Sequence, residues 1–331
     1  MMDRSWLATT EETALEPDLE IVDPHHHMWD TESAYGRYEL EDLHLDTTAG
    51  HNVVQTVFID CGANYRTDGP TQLRPVGETE YIAGRADLSD DSSQASIAAI
   101  VSHADLLLGA AVEEVLAAHE EASGGRFRGI RHAGARIDDP AVPVSRTQPP
   151  VGMYADERFR TGAATLAAMG YSFEAWQYHP QLGEVYELAA AVPELPIVVN
   201  HIGGPVGVGR YAGRRDEVLA EVRAGLEPLM ALENVSIKLG GIGMTRYGTD
   251  WLPADAAPGS DLVVETWGQI LRWCIEGFGP SRCMFESNYP VDGETTSYVV
   301  LWNAFKKLSS GYSAAERAEL FAGTARRFYR L

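Results

Sequence analysis

The chain has 331 residues and 48 acidic against 26 basic side chains, a formal net charge of -22 that would repel phosphate backbones and anionic lipid surfaces, so nucleic acid and membranes are not expected as partners. Its three cysteines, Cys61, Cys274 and Cys283, lack framework spacing and fit a reducing compartment. No apolar run is long enough to cross a bilayer and the acidic N-terminus lacks the order of a secretion signal, so a cytoplasmic protein is expected.

Short β-branched runs alternate with Ala/Leu/Glu-rich segments, the pattern of repeated strand-helix units around a parallel sheet. No Pro/Ser linker divides the chain, so it reads as an N-terminal extension over 1–20 and one barrel domain over 21–331. The first predicted strand, Glu20–His25, runs into Asp23-Pro24-His25-His26-His27-Met28-Trp29-Asp30. Strand alternation puts His25 and His27 on one face and His26 on the other. A His-x-His pair at a strand end is a compact way to hold a metal ion with an open coordination position.

The next predicted strands are Val53–Asp60, Ala98–His103 and Phe127–His132. In the last of these, Arg128 and Arg131 fall on opposite faces, and Arg131, nearer the C-terminal end, is expected to clamp an anion or a carbonyl. The fifth, Tyr171–Gln177, carries Glu174, a carboxylate that needs a partner when buried. His179 follows just beyond it. The sixth, Ile197–His201, is an apolar strand ending in a histidine and then glycines, where the backbone can approach a ligand closely. Val235–Lys238 ends in an isolated lysine. The eighth, Cys283–Ser287, leads into Glu286 and Asn288 on one face and Asp292 on the following loop.

Helical spacing is found over Ala111–Ala122, Glu157–Met169, Leu182–Ala191, Arg215–Leu232, Leu262–Phe278 and Ser297–Leu308. A final segment, Ser313–Tyr329, opens with the capping-box pair Ser313 and Glu316 and should close the barrel floor or pack outside. Gly- and Pro-rich stretches at 62–77, 138–152, 203–213 and 241–260 follow the second, fourth, sixth and seventh strands, on the face where a barrel builds its active site. Loops Gly62–Val76 and Asp138–Gly152 are expected to set specificity; Tyr65, Arg66, Arg74 and Tyr154 are candidate contacts there, although each reads more readily as a residue of a solvated loop. Of the ten histidines, His25, His26, His27, His103, His132, His179 and His201 lie at or just past strand ends, as a single shared pocket requires. His103 and His132, taken singly, read as hydrogen-bonded wall residues.

In order and spacing, these segments resemble the amidohydrolase-related, metal-dependent hydrolases, a family of TIM barrels that includes sugar lactonases and pyrone-dicarboxylate lactonase. The resemblance spans Ile21 to Asp292. It implies a (β/α)8 barrel that hydrolyses a carboxylic ester of a small molecule, a lactone first of all. His25, His27 and His201 would bind a divalent ion, zinc or manganese before iron, although related lactonases work without metal. Lys238 and Arg131 would stabilise negative charge, and His179, Asn288 and Glu174 would contact substrate. The family's eighth-strand motif reads Phe-Gly-Ser-Asp-Trp-Pro, whereas this chain has Phe285-Glu286-Ser287-Asn288-Tyr289-Pro290. Asn288 cannot ionise, so Glu286 or Asp292 is expected to supply the base. The alternatives are a metal-dependent decarboxylase or oxygenase on the same barrel, or a subunit of a hetero-oligomer that has lost its chemistry. Homo-oligomerisation is common among such barrels.

Overall fold

The structure, a computed structural model, describes every residue except Met1, Glu32, Ala34 and Pro253; Met1 of the extension and Pro253 of the 241–260 stretch therefore lie outside the described residues. Eight parallel strands follow one another in chain order: β1 (Glu20–His26), β2 (Asn52–Ile59), β3 (Ser96–Ser102), β4 (Phe127–Arg131), β5 (Ser172–Ala175), β6 (Ile197–Val199), β7 (Val235–Leu239) and β8 (Cys283–Phe285). The ring meets at its C-terminal rim, where His26 bridges Tyr289 and the His27 N–H donates to the Tyr289 carbonyl at 2.8 Å. This is a (β/α)8 barrel. Each predicted strand is present with its ends moved by at most two residues. The largest trims, in β5, β6 and β8, remove terminal residues that leave the ladder and turn into the rim.

Helices α1 (Arg4–Leu7), α2 (Leu40–Thr47), α3 (Val76–Asp90), α4 (Val112–Ala122), α5 (Glu157–Ala168), α6 (Leu182–Ala191), α7 (Arg215–Met230), α8 (Ser260–Phe278) and α9 (Tyr298–Leu308) precede α10 (Ala314–Ala318) and α11 (Thr324–Tyr329). Neither α2 nor α3 is among the expected helices. The buried face of α3 includes Glu78 and Thr79 beside Val76, Ile82 and Ala86, which breaks up the apolar stripe that a periodicity reading needs.

The interior of the barrel floor is apolar. Val22, Val57, Ile59, Ala99, Val101, Val198 and Met284 pack with Ala322, Ala325 and Tyr329 of the C-terminal segment, so Ser313–Tyr329 closes the floor. Its capping box is formed: Ser313 Oγ accepts from the Glu316 N–H at 3.3 Å and Glu316 Oε2 accepts from the Ser313 N–H at 2.8 Å. The N-terminal segment is tied to the outer layer, with Arg4 paired to Asp46 at 2.7 Å and Glu16 to Arg317 at 2.7 Å.

One irregularity positions the site. Val22 belongs to the floor cluster, yet His25, three residues on, also reaches the interior. The β1–β2 register shifts between Asp23 and His26, and that bulge turns the strand so that both point inward.

Candidate active site

Three imidazoles and a carboxylate meet at the rim. The ring centroids of His25 and His27 are 4.9 Å apart and those of His25 and His201 are 4.6 Å apart. Glu286, wholly buried, places Oε1 2.7 Å from His201 Nδ1 and Oε2 2.7 Å from His25 Nδ1. His27 Nδ1 faces the Ile59 carbonyl at 2.8 Å, and a carbonyl only accepts, so Nδ1 carries the proton and Nε2 is bare. That bare nitrogen lies 3.2 Å from His25 Nε2. Burial, the largest influence on each, holds all three histidines well below their ordinary value, so the rings are neutral.

The chain is shaped around these groups. A Cβ on Gly240 would collide with the Glu286 side chain, and one on Gly241, whose φ is +67°, would lie 2.5 Å from the His201 ring. Only glycine lets the strand leave β7 so close to both. His201 and Asn288 themselves adopt left-handed backbone, at φ 53° and 51°. Such conformations cost energy in non-glycine residues and gather at functional sites.

The donor set fits a divalent cation. His25, His201 and Glu286 each offer one ligand atom, all within 4.8 Å of one another. Glu286 Oε2 has no aligned hydrogen-bond donor despite its closeness to His25, leaving a buried carboxylate oxygen aimed at the cluster without a partner. The 3.2 Å between the Nε2 atoms of His25 and His27 is close to the spacing of two nitrogens on one tetrahedral ion, roughly 3.3 Å for metal–nitrogen bonds near 2.05 Å.

The sequence profile of the amidohydrolase family matches residues 22–331. The chain belongs to the amidohydrolase family. It is 33% identical to an L-fucono-1,5-lactonase of Burkholderia multivorans, over 94% of this chain and 96% of that one. A crystal structure of an amidohydrolase from Burkholderia multivorans with bound zinc superimposes with a TM-score of 0.70 at 27% identity, covering 94% and 99% of the two chains. A 5-carboxyvanillate decarboxylase from Sphingomonas paucimobilis shares the fold, with a TM-score of 0.58 at 12% identity over 95% and 99%. The protein is thus a hydrolase of this family with a His/Glu cluster suited to a divalent ion, and no described helix is long and apolar enough to cross a membrane.

Other expected site residues of this amidohydrolase lie elsewhere than the sequence reading placed them. Asp292 is turned from the cluster: its Oδ2 accepts from the Gly243 N–H at 3.0 Å and its Oδ1 from Asn288 Nδ2 at 2.8 Å. Burial pushes its carboxyl well above the usual range. His179 does not line the cavity, because Nε2 turns outward to Glu221 on α7 at 3.1 Å and Nδ1 accepts from the Val206 N–H at 3.3 Å. Glu174 and Lys238 lie beneath the cavity, not in its wall. Lys238 Nζ is 2.8 Å from Glu174 Oε2, 2.8 Å from the Pro24 carbonyl and 3.3 Å from His25 Nδ1. Glu174 in turn accepts from Asn200 Nδ2 at 2.5 Å and from the Tyr329 hydroxyl. Both partners of this wholly buried ion pair are thereby hydrogen-bonded, as charges at that depth must be.

The amidohydrolase cavity above the cluster has a volume of about 400 Å³, and His27, His201, Arg131 and Asn288 line it. Arg131 Nη1 is 3.3 Å from His25 Nε2, and Nη2 donates to the Asp60 carbonyl. Arg128, by contrast, faces outward and donates to the carbonyls of Gly125 and Phe127. His103 and His132 do not line the cavity but are hydrogen-bonded behind it, His103 Nδ1 3.1 Å from the Arg131 carbonyl and His132 Nδ1 accepting from the Leu106 N–H at 3.3 Å. The 138–152 stretch supplies cavity wall from Pro143 to Thr147, whereas Cys61 is the wall residue near the 62–77 stretch. Tyr65 and Tyr154 make buried structural bonds, to Asp60 and to the carbonyls of His132 and Trp176, and Arg66 pairs with Glu80.

Sequence reasoning missed Asp60, Arg146, Arg246 and Tyr35, all of which line the cavity. Asp60 had a signal, an acidic residue ending an apolar strand. Burial works to raise its carboxyl, but Arg146, then His103 and Arg131, outweigh that and hold it below the usual range. Arg146 reaches it from the 138–152 stretch at 2.9 Å.

Proposed function

We propose that this amidohydrolase opens a lactone, with the His25, His201 and Glu286 cluster holding a divalent ion and Glu286 supplying the base that Asn288 cannot. The observation that carries the reading is the bridging position of Glu286, one carboxylate oxygen beside each of two histidines, one from β1 and one from the end of β6. An ion there would polarise the ester carbonyl and lower the pKa of water.

The chain's own residues supply the rest. With its Nδ1–H donated to Glu286, His201 leaves Nε2 unprotonated, and its ring lines the cavity. That nitrogen is the one His201 can offer an ion, while Glu286, whose Oε2 has no hydrogen-bond donor, can take a proton from an attacking water and return it to the leaving alkoxide. Burial, opposed by Lys238, raises Glu286 above the ordinary carboxylate range, the direction that suits a base, and a cation held there would pull it back down. Arg131 faces the same space from β4, where negative charge grows on the carbonyl oxygen. Lys238 and Glu174 act from below as positioning residues, by holding His25. The 33% identity to a lactonase over nearly the whole of both chains supports a lactone over other esters. Zinc is favoured over manganese by the imidazole-rich donor set and by the zinc in the related structure.

Two measurements on the purified protein test this. Elemental analysis without added metal should find a divalent ion that is lost in Glu286→Gln, and a pH-indicator screen of γ- and δ-lactones should find acid release. Failure of every lactone, with and without added zinc or manganese, would overturn the reaction.

A further inference from the structure

The cavity is cationic in a chain that is strongly anionic. Three arginines, Arg131, Arg146 and Arg246, line it. Asp60 compensates the first two: it pairs with Arg146 at 2.9 Å and lies 3.9 Å from Arg131 Nε. Arg246 is different. Among the described residues no carboxylate stands within ion-pair distance of it, and its side chain hydrogen-bonds only to phenols, Tyr35 at 2.8 Å and Tyr178 at 3.5 Å.

The two phenols are not equivalent. The Tyr178 hydroxyl spends its proton on the Pro143 carbonyl at 2.6 Å, so toward Arg246 it only accepts. The Tyr35 hydroxyl accepts from Arg246 Nη2, and among the described residues its own proton has no acceptor. Tyr35 is held in place by stacking on Trp29, with centroids 5.6 Å apart and ring planes at 26°. The turn that carries Arg246 is anchored as well, because Thr245 donates through both N–H and hydroxyl to Glu294 at 3.0 Å. The result is an uncompensated guanidinium beside a free O–H donor, on fixed supports, in the same cavity as His27 and His201. A guanidinium fork with an adjacent hydroxyl matches a carboxylate.

We infer that Arg246 and Tyr35 form an anion subsite, and that the substrate carries a carboxylate which this pair holds while the reacting carbonyl lies at the histidine cluster. A neutral sugar lactone would leave that guanidinium unanswered. The inference about substrate class rests on the lactone reading above; the existence of the subsite does not.

The test therefore has a binding arm and a turnover arm. Trp29 and Trp176 line the cavity, so their fluorescence reports occupancy without chemistry. Titration with glutarate should show saturable binding that weakens at least tenfold in Arg246→Met and two- to fivefold in Tyr35→Phe, with Arg246→Lys between wild type and Arg246→Met. Glutaramide should bind the wild type at least tenfold more weakly than glutarate does. Equal glutarate affinity in the wild type and Arg246→Met, both folded by circular dichroism, would overturn the subsite. In turnover, a γ-lactone bearing a ring carboxylate should be preferred over its carboxamide by at least tenfold in kcat/KM, chiefly through KM, and Arg246→Met should abolish that ratio. Lactone opening without such a preference would refute the substrate class and leave the reaction standing. Arg246-dependent glutarate binding with no lactone opened would refute the reaction and leave the subsite standing.

Discussion

The floor and the rim of this barrel are built from the same strands and differ in almost everything else. At the floor, Val22, Ile59, Val198 and Met284 pack against the C-terminal segment. A few residues farther along the same strands stand His25, Asp60, His201 and Glu286. The strands thus separate their work along their length: apolar packing is finished before the charged groups begin, and those groups answer one another at the end where loops can close over them. The boundary is a single chain of contacts. Tyr329 rises from the floor to Glu174, Glu174 holds Lys238, and Lys238 reaches His25.

The sharpest way to break this contrast is to remove a charge at the rim and a ring at the floor and ask which loses chemistry and which loses stability. Glu286→Gln should lower kcat/KM for the best lactone about a thousandfold while leaving unfolding cooperative. Asp292→Asn should lower it less than tenfold, because Asp292 faces Gly243 and Asn288, not the cluster. The opposite ranking in steady-state kinetics would return the base to Asp292. Tyr329→Ala should instead cost about 3–5 kcal/mol of unfolding free energy by emptying a packed ring site. Tyr329→Phe keeps the ring and removes only the donor to Glu174, at a cost of about 1–3 kcal/mol. Should Tyr329→Phe lower kcat as much as Glu286→Gln in the same assays, floor and rim would not be separable.

The same contrast explains how much was legible in advance. Strand positions were readable because each apolar run has to reach the floor, and His25 and His27 because alternation alone assigns their face. Glu286 could be picked out because it shares the face of the non-ionisable Asn288. What failed depended on side-chain direction off the ladder. Asp292 and His179 lie past strand ends, where alternation no longer holds, and each turned to a partner that only the fold supplies. Lys238 reads as an end-of-strand cation, yet its chain folds beneath the cavity to reach Glu174. Arg246 and Tyr35 sit on irregular segments without any period. The missing α3 was concealed by Glu78, whose Oε1 accepts from the Ala63 N–H at 2.7 Å and so supports the loop after β2 instead of an apolar core.

Acid should act on the packing around the floor and spare the floor itself, which contains no histidine. Burial holds His51 and His119 down at about 4 and His132 at about 3. Because these folded-state values lie below the ordinary one near 6.5, the unfolded chain takes up the protons first as the pH falls. Stability that is complete above about pH 6.5 is therefore lost on the way to about pH 4. Asp23, pushed up to about 6 by burial, works in the opposite sense and cancels one of the three. Each such histidine left uncompensated corresponds to about 1.4 kcal/mol per pH unit between its folded and ordinary values. Urea unfolding at pH 7 and pH 5 measures it, and equal midpoints would mean that these rings are charged in the folded protein.

The smallest expected effect is the most discriminating, since it lies inside the histidine triplet itself. His25 and His27 set ring nitrogens beside Glu286, Lys238 and the Ile59 carbonyl. His26, on the opposite face, packs against Phe58 with centroids 5.8 Å apart, and neither of its nitrogens has a partner among the described residues. Its ring therefore contributes shape to the layer between sheet and helices and nothing to the cavity. Leucine is close in volume, so His26→Leu should stay within about 1.5 kcal/mol of wild-type stability. Its kcat/KM should stay within about threefold, whereas His25→Leu and His27→Leu should each lose about a hundredfold or more. Comparable losses at all three positions would mean that the strand does not divide its faces in this way, and the contrast between packing and chemistry would fail at the residue where it is finest.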